Sequence, residues 1–465
     1  MASFRSASLI LAVVSTLSAC ATPAPQNLAP ELSAQRIEQR SLADPRLLSF
    51  LDASGLPFQQ KWDLDRLTLA ALYFRPDMKV ADAELALAQA GIKTARERPN
   101  PQGSLSLERA NPVGLVSPWT IGAAIGVVLE LFHKRGERIE QASDLARAAR
   151  HDLAAAAWTV RSSVRSAMLD HRSAAAQLAL AHERLVVATE LAHMLDDRLQ
   201  LGGASSIDAA QAESARQQAA LAVADQQHNL AAARAALAAA VGVPMAALDG
   251  VEIGDAAFAA PPASFDLAKL RRDALTGRAD IQAALARYDA ADAAYRLELA
   301  KRIPDLTLGP SYTYDQGQNK IGLNAAAALP IFNQNGGPIA EGKARRTLAA
   351  AQFEALQSAL LGKIDAAVTD YRASAGQFAA ADRLVATEQG RVDKLQRQLS
   401  VGRIDRPALL AEQANLLAAR QARLTALEIR EKSLGALEDA VQVPLVGGLE
   451  ILPALTVGAL PKDAR

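Results

Sequence analysis

The chain has 465 residues, of which half are apolar but only 4% aromatic, and alanine supplies much of the apolar fraction. Globular cores rely on larger side chains, whereas alanine favours helices that approach one another closely, so this composition indicates long, thinly packed helices. Lysine and arginine balance aspartate and glutamate at 50 each, with the signs intermixed, which excludes the electrostatic footprint of a nucleic-acid-binding protein.

Residues 1–19 have the pattern of a secretory signal peptide. Arg5 precedes an uncharged stretch that is too short to span a membrane as a mature helix and that ends in small residues. The sequence Leu-Ser-Ala-Cys at 17–20 resembles the bacterial lipobox, in which the cysteine becomes the lipidated first residue. We therefore expect lipid attachment at Cys20, with residues 20–65 as a lipidated segment and linker; a buried core cysteine is the alternative. Because the chain has no other cysteine, disulfides and multi-cysteine metal sites are excluded.

The rest of the chain contains one pattern twice, at a shift of about 200 residues. Matching motifs occur in the same order in both halves: Arg75-Pro76-Asp77 and Arg278-Ala279-Asp280, Leu129–Phe132 and Leu329–Phe332, Gly136 and Gly336, Leu201-Gly202 and Val401-Gly402, Ala212-Glu213 and Ala411-Glu412, Val241–Pro244 and Val441–Pro444. We therefore predict a first repeat at 66–244, an inter-repeat linker at 245–266, a second repeat at 267–444 and a C-terminal tail at 445–465.

A β-hairpin is predicted in each repeat, at about 102–132 and at about 304–332. From Leu306 to Tyr314 apolar residues occupy every second position, and the alternation resumes after a turn at 315–319. Two strands of about ten residues with this pattern are typical of a transmembrane hairpin. A soluble hairpin packed on a core is the alternative, but the small, neutral polar face favours a lumen. The alternation puts one set of residues toward lipid or the interface (Leu308, Tyr312, Leu323) and another toward the lumen (Thr307, Ser311, Asn324).

The remaining segments are predicted to be helices, two of which are unusually long. Residues 137–200 contain no internal proline or glycine and residues 339–400 only scattered glycines, so each helix would be about 95 Å long. Lengths of this kind indicate coiled-coil packing. The shorter helices of each repeat, stacked end to end, roughly span one long helix: 66–98 with 206–241, and 267–302 with 405–441.

The predicted fold is therefore mainly α with membrane β-strands, and it requires more than one copy of the chain. Unpaired edge groups are prohibitive in hydrocarbon, so strands cross a membrane only as a closed barrel. Four strands per chain do not close one, whereas three copies give twelve strands around a lumen. We therefore expect a homotrimer with a twelve-stranded β-barrel above long helical pairs.

From about Leu67 to Pro444 the chain resembles the TolC family of outer-membrane channels. The motifs that carry the resemblance are the repeated elements at 129–136 and 329–336, the helical turns at 201–213 and 401–412, and the lipobox. The resemblance implies a trimeric outer-membrane β-barrel joined to a periplasmic α-helical coiled-coil barrel. It also implies passive conduction of substrates received from a periplasmic adaptor (a membrane fusion protein) and an inner-membrane RND-type pump, with no cofactor and no catalysis. Ala21, where the family rule places aspartate for inner-membrane retention, implies sorting to the outer membrane.

Further motifs resemble the heavy-metal branch of that family, the partners of cobalt–zinc–cadmium or copper–silver pumps: Trp62-x-Leu64-x-x-Leu67, Arg98–Pro101, Pro118-Trp119 and Glu130–Arg135. Export of drugs or other organic solutes is the main alternative. His171, His182 and His193 form a stripe three helical turns apart, but neighbours about 16 Å apart along the axis cannot share one ion, whose ligands lie about 2 Å away. We therefore predict no metal site there.

The helical turns near 202 and 402 are predicted to form the periplasmic tip, where TolC-like channels narrow at acidic residues. Asp208 matches a family acidic position, whereas Pro407 and Leu410 stand where acids would be expected. The candidate gate therefore includes substitutes on both turns: Asp208, Glu213, Arg403, Asp405, Arg406 and Glu412. Arg403 and Arg406 are expected to pair with the acids and hold the tip shut; otherwise the acids are solvated helix-start residues. Tight turns are expected at Gly202, Gly203 and Gly402.

Two other functions are weighed against a channel. A periplasmic coiled-coil adaptor or structural protein would have one helical hairpin with compact β-domains, but this sequence has two hairpins of helices and membrane-patterned strands. An exported enzyme is disfavoured because no Ser/His/Asp order, phosphate loop or clustered carboxylate pair stands out. We therefore predict a lipid-anchored outer-membrane channel with a large periplasmic portion and no enzymatic activity.

Overall fold

The structure, a computed structural model, describes residues 27–57, 61–110, 117–254, 258 and 265–446. The predicted signal peptide, Cys20 and nearly all of the tail at 445–465 lie outside these residues, so those interpretations stay predictions. Two short helices, α1 (Pro30–Glu38) and α2 (Pro45–Ala53), occupy the segment expected to be a linker.

The two repeats contain the same elements in the same order. The first consists of α3 (Leu64–Phe74), α4 (Pro76–Arg96), β1 (Gln102–Arg109), β2 (Trp119–Leu129), α5 (Lys134–Gln200) and α6 (Ser206–Val241). The second consists of α7 (Leu267–Gly277), α8 (Ala279–Ala300), β3 (Leu306–Asp315), β4 (Gln318–Ala327), α9 (Gly336–Ser400) and α10 (Arg406–Val441). The duplication read from the sequence is confirmed by this architecture.

The long helices α5 and α9 have 67 and 65 residues, so each is about 100 Å long. Both begin three residues before their predicted starts and end where predicted. The chain enters α5 through Phe132 and His133 and enters α9 through Asn335, all three with positive φ. These local bends turn the chain out of the sheet and into the helix. Sequence periodicity does not detect such bends, so the predicted helix starts are three residues late.

The short helices predicted at 66–98 and 267–302 are each broken in two, which corrects the sequence interpretation. Arg75 is extended, with ψ of 132°, because the residue before a proline is disfavoured in the α region. Arg278 has ψ of 135° without a following proline. Its guanidinium instead donates to the main-chain oxygen of Asp439 at 2.9 Å and also to that of Ala440, so distant contacts hold this break.

Each repeat has its own apolar core near mid-length. The larger core joins α2, α3, α5 and α6, with Leu47, Leu67, Val164 and Leu237 fully buried. The smaller core joins α7, α9 and α10. The inter-repeat linker is tied to the first repeat, because Trp62 accepts a backbone hydrogen bond from Gly254 at 2.9 Å.

The four strands form one antiparallel sheet in the order β1-β2-β3-β4. The hairpin turn of β3 and β4 lies at Gln316 and Gly317, both with positive φ, inside the predicted turn at 315–319. Within the described part of the chain, no helix combines the length and apolarity needed to cross a membrane.

Candidate functional site

One face of the sheet is apolar from strand to strand. Residues paired across antiparallel strands point to the same side, so the pairs Leu105–Ala123, Ala123–Tyr312 and Tyr312–Ile321 put these four side chains on one face. Leu105 is 78% exposed and Ile321 is 87% exposed. A single chain therefore leaves a continuous apolar surface uncovered.

The opposite face is formed by small and polar residues. Ser311 lies across from Gly322 and its hydroxyl is 3.4 Å from the Asn324 amide oxygen. A Cβ added to Gly122 would collide with the hydroxyl of Ser106, so the glycine leaves the space that Ser106 needs on this face. The sheet register divides the side chains as the alternation predicted: Leu308, Tyr312 and Leu323 on one face and Thr307, Ser311 and Asn324 on the other.

The outer strands of the sheet are open. β1 pairs only with β2, and β4 pairs only with β3, across the described residues. Each outer strand thus offers a row of main-chain donors and acceptors to another strand. An apolar face combined with two open edges is the geometry of a barrel segment, because closure would satisfy both edges at once.

Two ion pairs fix the sheet on the helices. Lys134, at the start of α5 and nearly buried, binds Asp305 just before β3, with 2.6 Å between Nζ and Oδ1. Arg138, one turn later, binds Glu130 just after β2 at 2.7 Å. The ends of β2 and β3 are therefore attached to the first turns of one long helix.

The opposite ends of the long helices carry the predicted turns. Gly202 and Gly402 both have φ of 70°, a conformation that glycine adopts without strain. Gly203 lacks a positive φ, and its amide donates to the Arg198 carbonyl at 2.7 Å. Its counterpart Arg403 makes the same backbone bond to Gln398 at 2.9 Å. Gly202 and Gly402 thus shape the turns, whereas a side chain is accommodated at the Gly203 position.

Two ion pairs at the tip join the first repeat to the second. Arg198, in the last turn of α5, binds Asp405, the residue that caps α10, with 3.0 Å between Nη1 and Oδ2. Arg406 binds Glu190 of α5 at 2.7 Å. The hydrogen bond from Arg198 lowers the pKa of Asp405, so this carboxylate is charged at neutral pH. Both pairs are partly exposed, and such pairs contribute only ~0–1 kcal/mol each.

These partners differ from those expected from the sequence. Within the chain, Arg406 meets Glu190 rather than Asp208 or Asp405, and Asp405 is taken by Arg198. The Asp208 carboxylate binds the hydroxyl of Ser205, the residue that caps α6. The side chain of Arg403 has no ion-pair partner within the described residues, although the carboxylate of Asp405 is only two residues away in the sequence.

The remaining candidate acids are held locally. Arg216, one turn along the same helix, donates two hydrogen bonds to Glu213 and lowers its pKa to about 2. Glu412 accepts from Asn415 at 3.2 Å, and Arg391 lies 3.9 Å from its other oxygen. The six candidate gate residues therefore lie at one end of the molecule, but not in one cluster.

Sequence reasoning missed the partners Arg198 and Glu190, and also a buried group of charges at mid-length. Arg161 of α5 is 1% exposed and lies 3.2 Å from Glu438 of α10. Arg165 binds the same glutamate. Charges on an otherwise alanine-rich helix are the signal that could have pointed to these contacts.

No group of three or more histidine, cysteine, aspartate or glutamate side chains is close enough to hold a metal ion in the described ranges. Burial together with nearby Arg234 lowers the pKa of His171, which favours its neutral form.

The fold is shared with solved outer-membrane channels. VceC of Vibrio cholerae superposes with a TM-score of 0.67 at 21% identity, covering 83% of this chain and 97% of that one. CmeC of Campylobacter jejuni gives 0.68 at 16% identity, covering 96% and 98%. CusC gives 0.65 at 20% identity, covering 82% and 91%. No curated protein sequence is a significant match to the chain.

The sequence itself also identifies the family. The profile of the outer membrane efflux protein family matches residues 68–243 and 270–441, which are the two repeats and most of the chain. The matched ranges begin and end within a few residues of the predicted repeats. This chain belongs to the outer membrane efflux protein family.

Proposed function

We propose that three copies of the chain form a lipid-anchored outer-membrane channel, which passively conducts substrates delivered by a periplasmic adaptor and an inner-membrane RND-type pump. The observation that carries the proposal is the four-stranded sheet with one exposed apolar face and two open edges. Twelve strands from three such sheets would close into a barrel with the polar face toward the lumen.

The helices supply the periplasmic part of the proposed path. They extend about 100 Å from the sheet to the turns at Gly202 and Gly402. Leu201 and Val401, beside these turns, are 87% and 66% exposed. Apolar residues at the far end suit docking by a periplasmic adaptor.

The tip is the proposed gate. Asp208, Arg403 and the two ion-paired residues, Asp405 (with Arg198) and Arg406 (with Glu190), would surround the opening in a threefold assembly. Small charge interactions would add there because the tips move together. Removing Arg406 would leave Glu190 unpaired, and removing Arg403 would take a second positive charge from the tip. The carboxylates there would then repel one another more strongly, which should widen the pore. Single-channel conductance of the Arg403→Ala/Arg406→Ala variant at low salt tests this, with a rise that shrinks as salt screens the charges. Parent-like conductance at every salt concentration would contradict it.

Insertion through the apolar face is tested with adjacent residues of β4. Leu323→Lys puts a charge toward lipid, at a cost of about 2–4 kcal/mol near the bilayer midplane, whereas Asn324→Lys puts it on the polar face. We expect Asn324→Lys to give stepwise conductance in planar bilayers like the parent, and Leu323→Lys to lose outer-membrane insertion. Equal insertion of the two variants would contradict the proposed barrel.

The lipid anchor is tested at Cys20. The parent should incorporate labelled fatty acid and float with outer membranes, and Cys20→Ser should lose the label. Labelling that persists in Cys20→Ser would rule out this anchor.

For the transported substrate we propose heavy-metal cations, with drugs or other organic solutes as the alternative. The motifs at Trp62, Arg98–Pro101 and Glu130–Arg135 support the metal branch. In cells with the cognate pump and adaptor, deletion of this channel should lower resistance to cobalt, zinc, cadmium, copper or silver salts. Unchanged metal resistance with lowered drug resistance would favour the alternative.

A further inference from the structure

An arginine lies on the apolar face of the sheet, at the end that is farthest from the helices. Arg109 and Trp119 are opposite one another in β1 and β2, and the next pair on the same face is Leu107 with Ile121. Arg109 and Trp119 are both exposed, and the guanidinium lies over the indole, 5.5 Å from the ring centroid. A cation therefore occupies the side of the sheet that is expected to meet lipid.

The length of β2 indicates that this arginine lies at the level of lipid headgroups. From Trp119 to Leu129, the 11 residues of β2 rise ~34 Å along the strand, or about 26 Å along the membrane normal at a tilt of about 40°. The apolar band of a membrane barrel is about 25 Å tall and is bordered by aromatic residues. Because β2 continues into α5 from its Leu129 end, the border at Arg109 would be the outer one.

The charge of Arg109 has no acidic partner among the described residues. The two acidic residues of the four strands, Glu108 and Asp315, both face Thr120 in the register and so lie on the polar face. Residues 110–118, which join β1 to β2, contain no charged side chain. By contrast, Lys320, a cation at the same end of the polar face, binds Asp315 at 2.7 Å. A partner for Arg109 is therefore expected from outside the chain.

A groove lies on the apolar face within reach of this arginine. It has a volume of about 650 Å³ and forms where the small residues Gly103 and Ala123 lie among larger side chains. A Cβ added to Gly103 would meet nothing within 4 Å, so the groove is open at that position. Leu105 is four residues from Arg109, or ~14 Å along β1, which is within the length of an acyl chain. This lipid groove is lined on the apolar face by Gly103, Leu105, Ala123, Ile125, Tyr312 and Ile321.

We propose that Arg109 and the lipid groove together bind an anionic, phosphorylated lipid of the outer leaflet, with its phosphate at Arg109 and an acyl chain in the groove. This inference rests on the proposed barrel and names the lipid that the outer border of the barrel selects. A guanidinium binds a phosphate through two parallel hydrogen bonds, and an indole suits the interface beside it. Pairing of β1 with a strand of another copy would occupy the edge of β1 and leave this face uncovered.

Selection of a lipid requires both halves of the site in one ligand. A single exposed arginine attracts free phosphate only weakly, because water and salt screen the charge. The groove alone would accept the acyl chain of any lipid, because its lining is apolar and small. A molecule that joins a phosphate to an acyl chain satisfies both.

Trp119 provides the readout for a test. The other two tryptophans, Trp62 and Trp158, are 4% and 8% exposed and lie in the helical part. The full-length protein is reconstituted in phosphatidylcholine vesicles that contain a small fraction of a lipid with brominated acyl chains, which quench tryptophan fluorescence at short range. Brominated phosphatidic acid is compared with brominated diacylglycerol, which has the same chains and no phosphate. We expect phosphatidic acid to quench about fivefold more effectively, the preference of one basic residue beside anionic lipid.

The headgroup contact is tested at Arg109. Arg109→Gln should abolish the preference for phosphatidic acid. Arg109→Lys should retain part of it, because an ammonium keeps the charge without the two parallel hydrogen bonds. Lys320→Gln is the matched control, since it removes a cation from the polar face at the same end of the sheet, and it should keep the full preference. A preference that survives in Arg109→Gln would overturn the proposed site.

The acyl-chain contact is tested at Gly103. Gly103→Leu has room in its own chain but fills the groove, so quenching by phosphatidic acid should fall several-fold. Ser104→Leu adds the same side chain on the polar face, one residue along β1, and should quench like the parent. A full preference in Gly103→Leu, together with its loss in Arg109→Gln, would show that Arg109 binds phosphate alone and would overturn the lipid site.

Failure of the lipid site can be distinguished from failure of the proposed channel. In a separate measurement, brominated phosphatidylcholine is the bulk lipid of the vesicles. If it quenches Trp119 while phosphatidic acid shows no preference over diacylglycerol, the lipid site is overturned and the proposed barrel stands. If bulk brominated lipid leaves Trp119 unquenched, the sheet does not meet lipid, and the proposed channel fails together with the site.

Discussion

Arg75 and Arg278 hold equivalent positions and make equivalent contacts in the two repeats. Arg75 donates to the Ala240 carbonyl at 3.3 Å, at the end of α6, and also binds Asp77. Arg278 donates to the Asp439 main-chain oxygen, at the C-terminal end of α10, and binds Asp280 at 2.6 Å. Arg75 joins the end of α6 to the start of α4, and Arg278 joins the end of α10 to the start of α8. Each stacked pair of short helices therefore supports one long helix as a single unit.

Replacing either arginine should therefore loosen that support. Hydrogen bonds to a charged group contribute about 1.5–3 kcal/mol, and we expect Arg278→Ala to lower the unfolding free energy by that amount. Arg278 is more buried than Arg75, so Arg75→Ala should cost less. Thermal unfolding followed by circular dichroism measures both. Identical melting temperatures for Arg278→Ala and the parent would contradict the prediction.

Removing one partner of the buried pair of Arg161 and Glu438 should lower the stability of the protein far more than removing one partner of an exposed pair. Removing one partner of a buried pair costs about 3–5 kcal/mol because the other charge is left unpaired. Glu438→Ala should therefore lower the thermal stability strongly. Asp382→Ala, which removes the partner of Arg423 in a largely exposed pair, should change it by less than about 1 kcal/mol. Similar melting temperatures for the two variants would show that the pair of Arg161 and Glu438 does not hold α5 and α10 together.

The tip pair between Arg198 and Asp405 is expected to restrain opening. Arg198→Ala frees the Asp405 carboxylate at the tip and should raise single-channel conductance at low salt. Arg216→Ala is the matched control, because Arg216 pairs with Glu213 on the same helix and joins no two helices. Planar bilayer recordings compare the two variants, and equal conductance would show that the link between repeats does not restrain the tip.

Acidification should leave the tip closed until the pH is very low. The bond from Arg198 depresses the pKa of Asp405 below its ordinary value of 3.8. A carboxylate with a depressed pKa contributes stability that is present above the unfolded pKa and lost as the pH falls through the folded one. Conductance should therefore stay constant from about pH 8 to 5 and rise only below pH 3.8. A rise near about pH 6 would instead indicate a histidine.

The sheet faces are tested by thiol accessibility in a Cys20→Ala background. Single cysteines at Thr307, Ser311 and Asn324 are expected to react with a water-soluble thiol reagent, because their face is expected to line an aqueous lumen. Cysteines that replace residues of the apolar face should resist: Leu308, Tyr312 and Leu323. Mass spectrometry of the assembled protein measures the extent of reaction. Equal reactivity of the two sets would show that the apolar face does not meet lipid.

Much of the fold followed from local patterns. The period-two alternation around Leu308 gave the strand faces, and the repeated Leu-Gly and Val-Gly turns gave the ends of both long helices. These features depend on neighbouring residues, so one sequence is sufficient. The division of residues at the sheet could be predicted for the same reason.

Features held by distant contacts could not be predicted. No proline follows Arg278, so the local sequence does not indicate a break there. The break is held instead by main-chain oxygens 161 and 162 residues away. The partner of Asp405 is Arg198, 207 residues away, rather than a nearby arginine. Choosing among many similar charges on alanine-rich helices requires knowing which helices are neighbours.

The junction between the end of α6 and the start of α4 at Arg75 allows the length of the molecule to change in units of helical turns. The half of α5 nearest the turns is matched by α6, whereas the half nearest the sheet is matched by α4. Whole helical turns added to α6 and to the matching half of α5, and likewise in the second repeat, would move the tip farther from the sheet. The sheet and the junctions at Arg75 and Arg278 would keep their contacts. The distance from the sheet to the tip can therefore change without any change in the sheet itself.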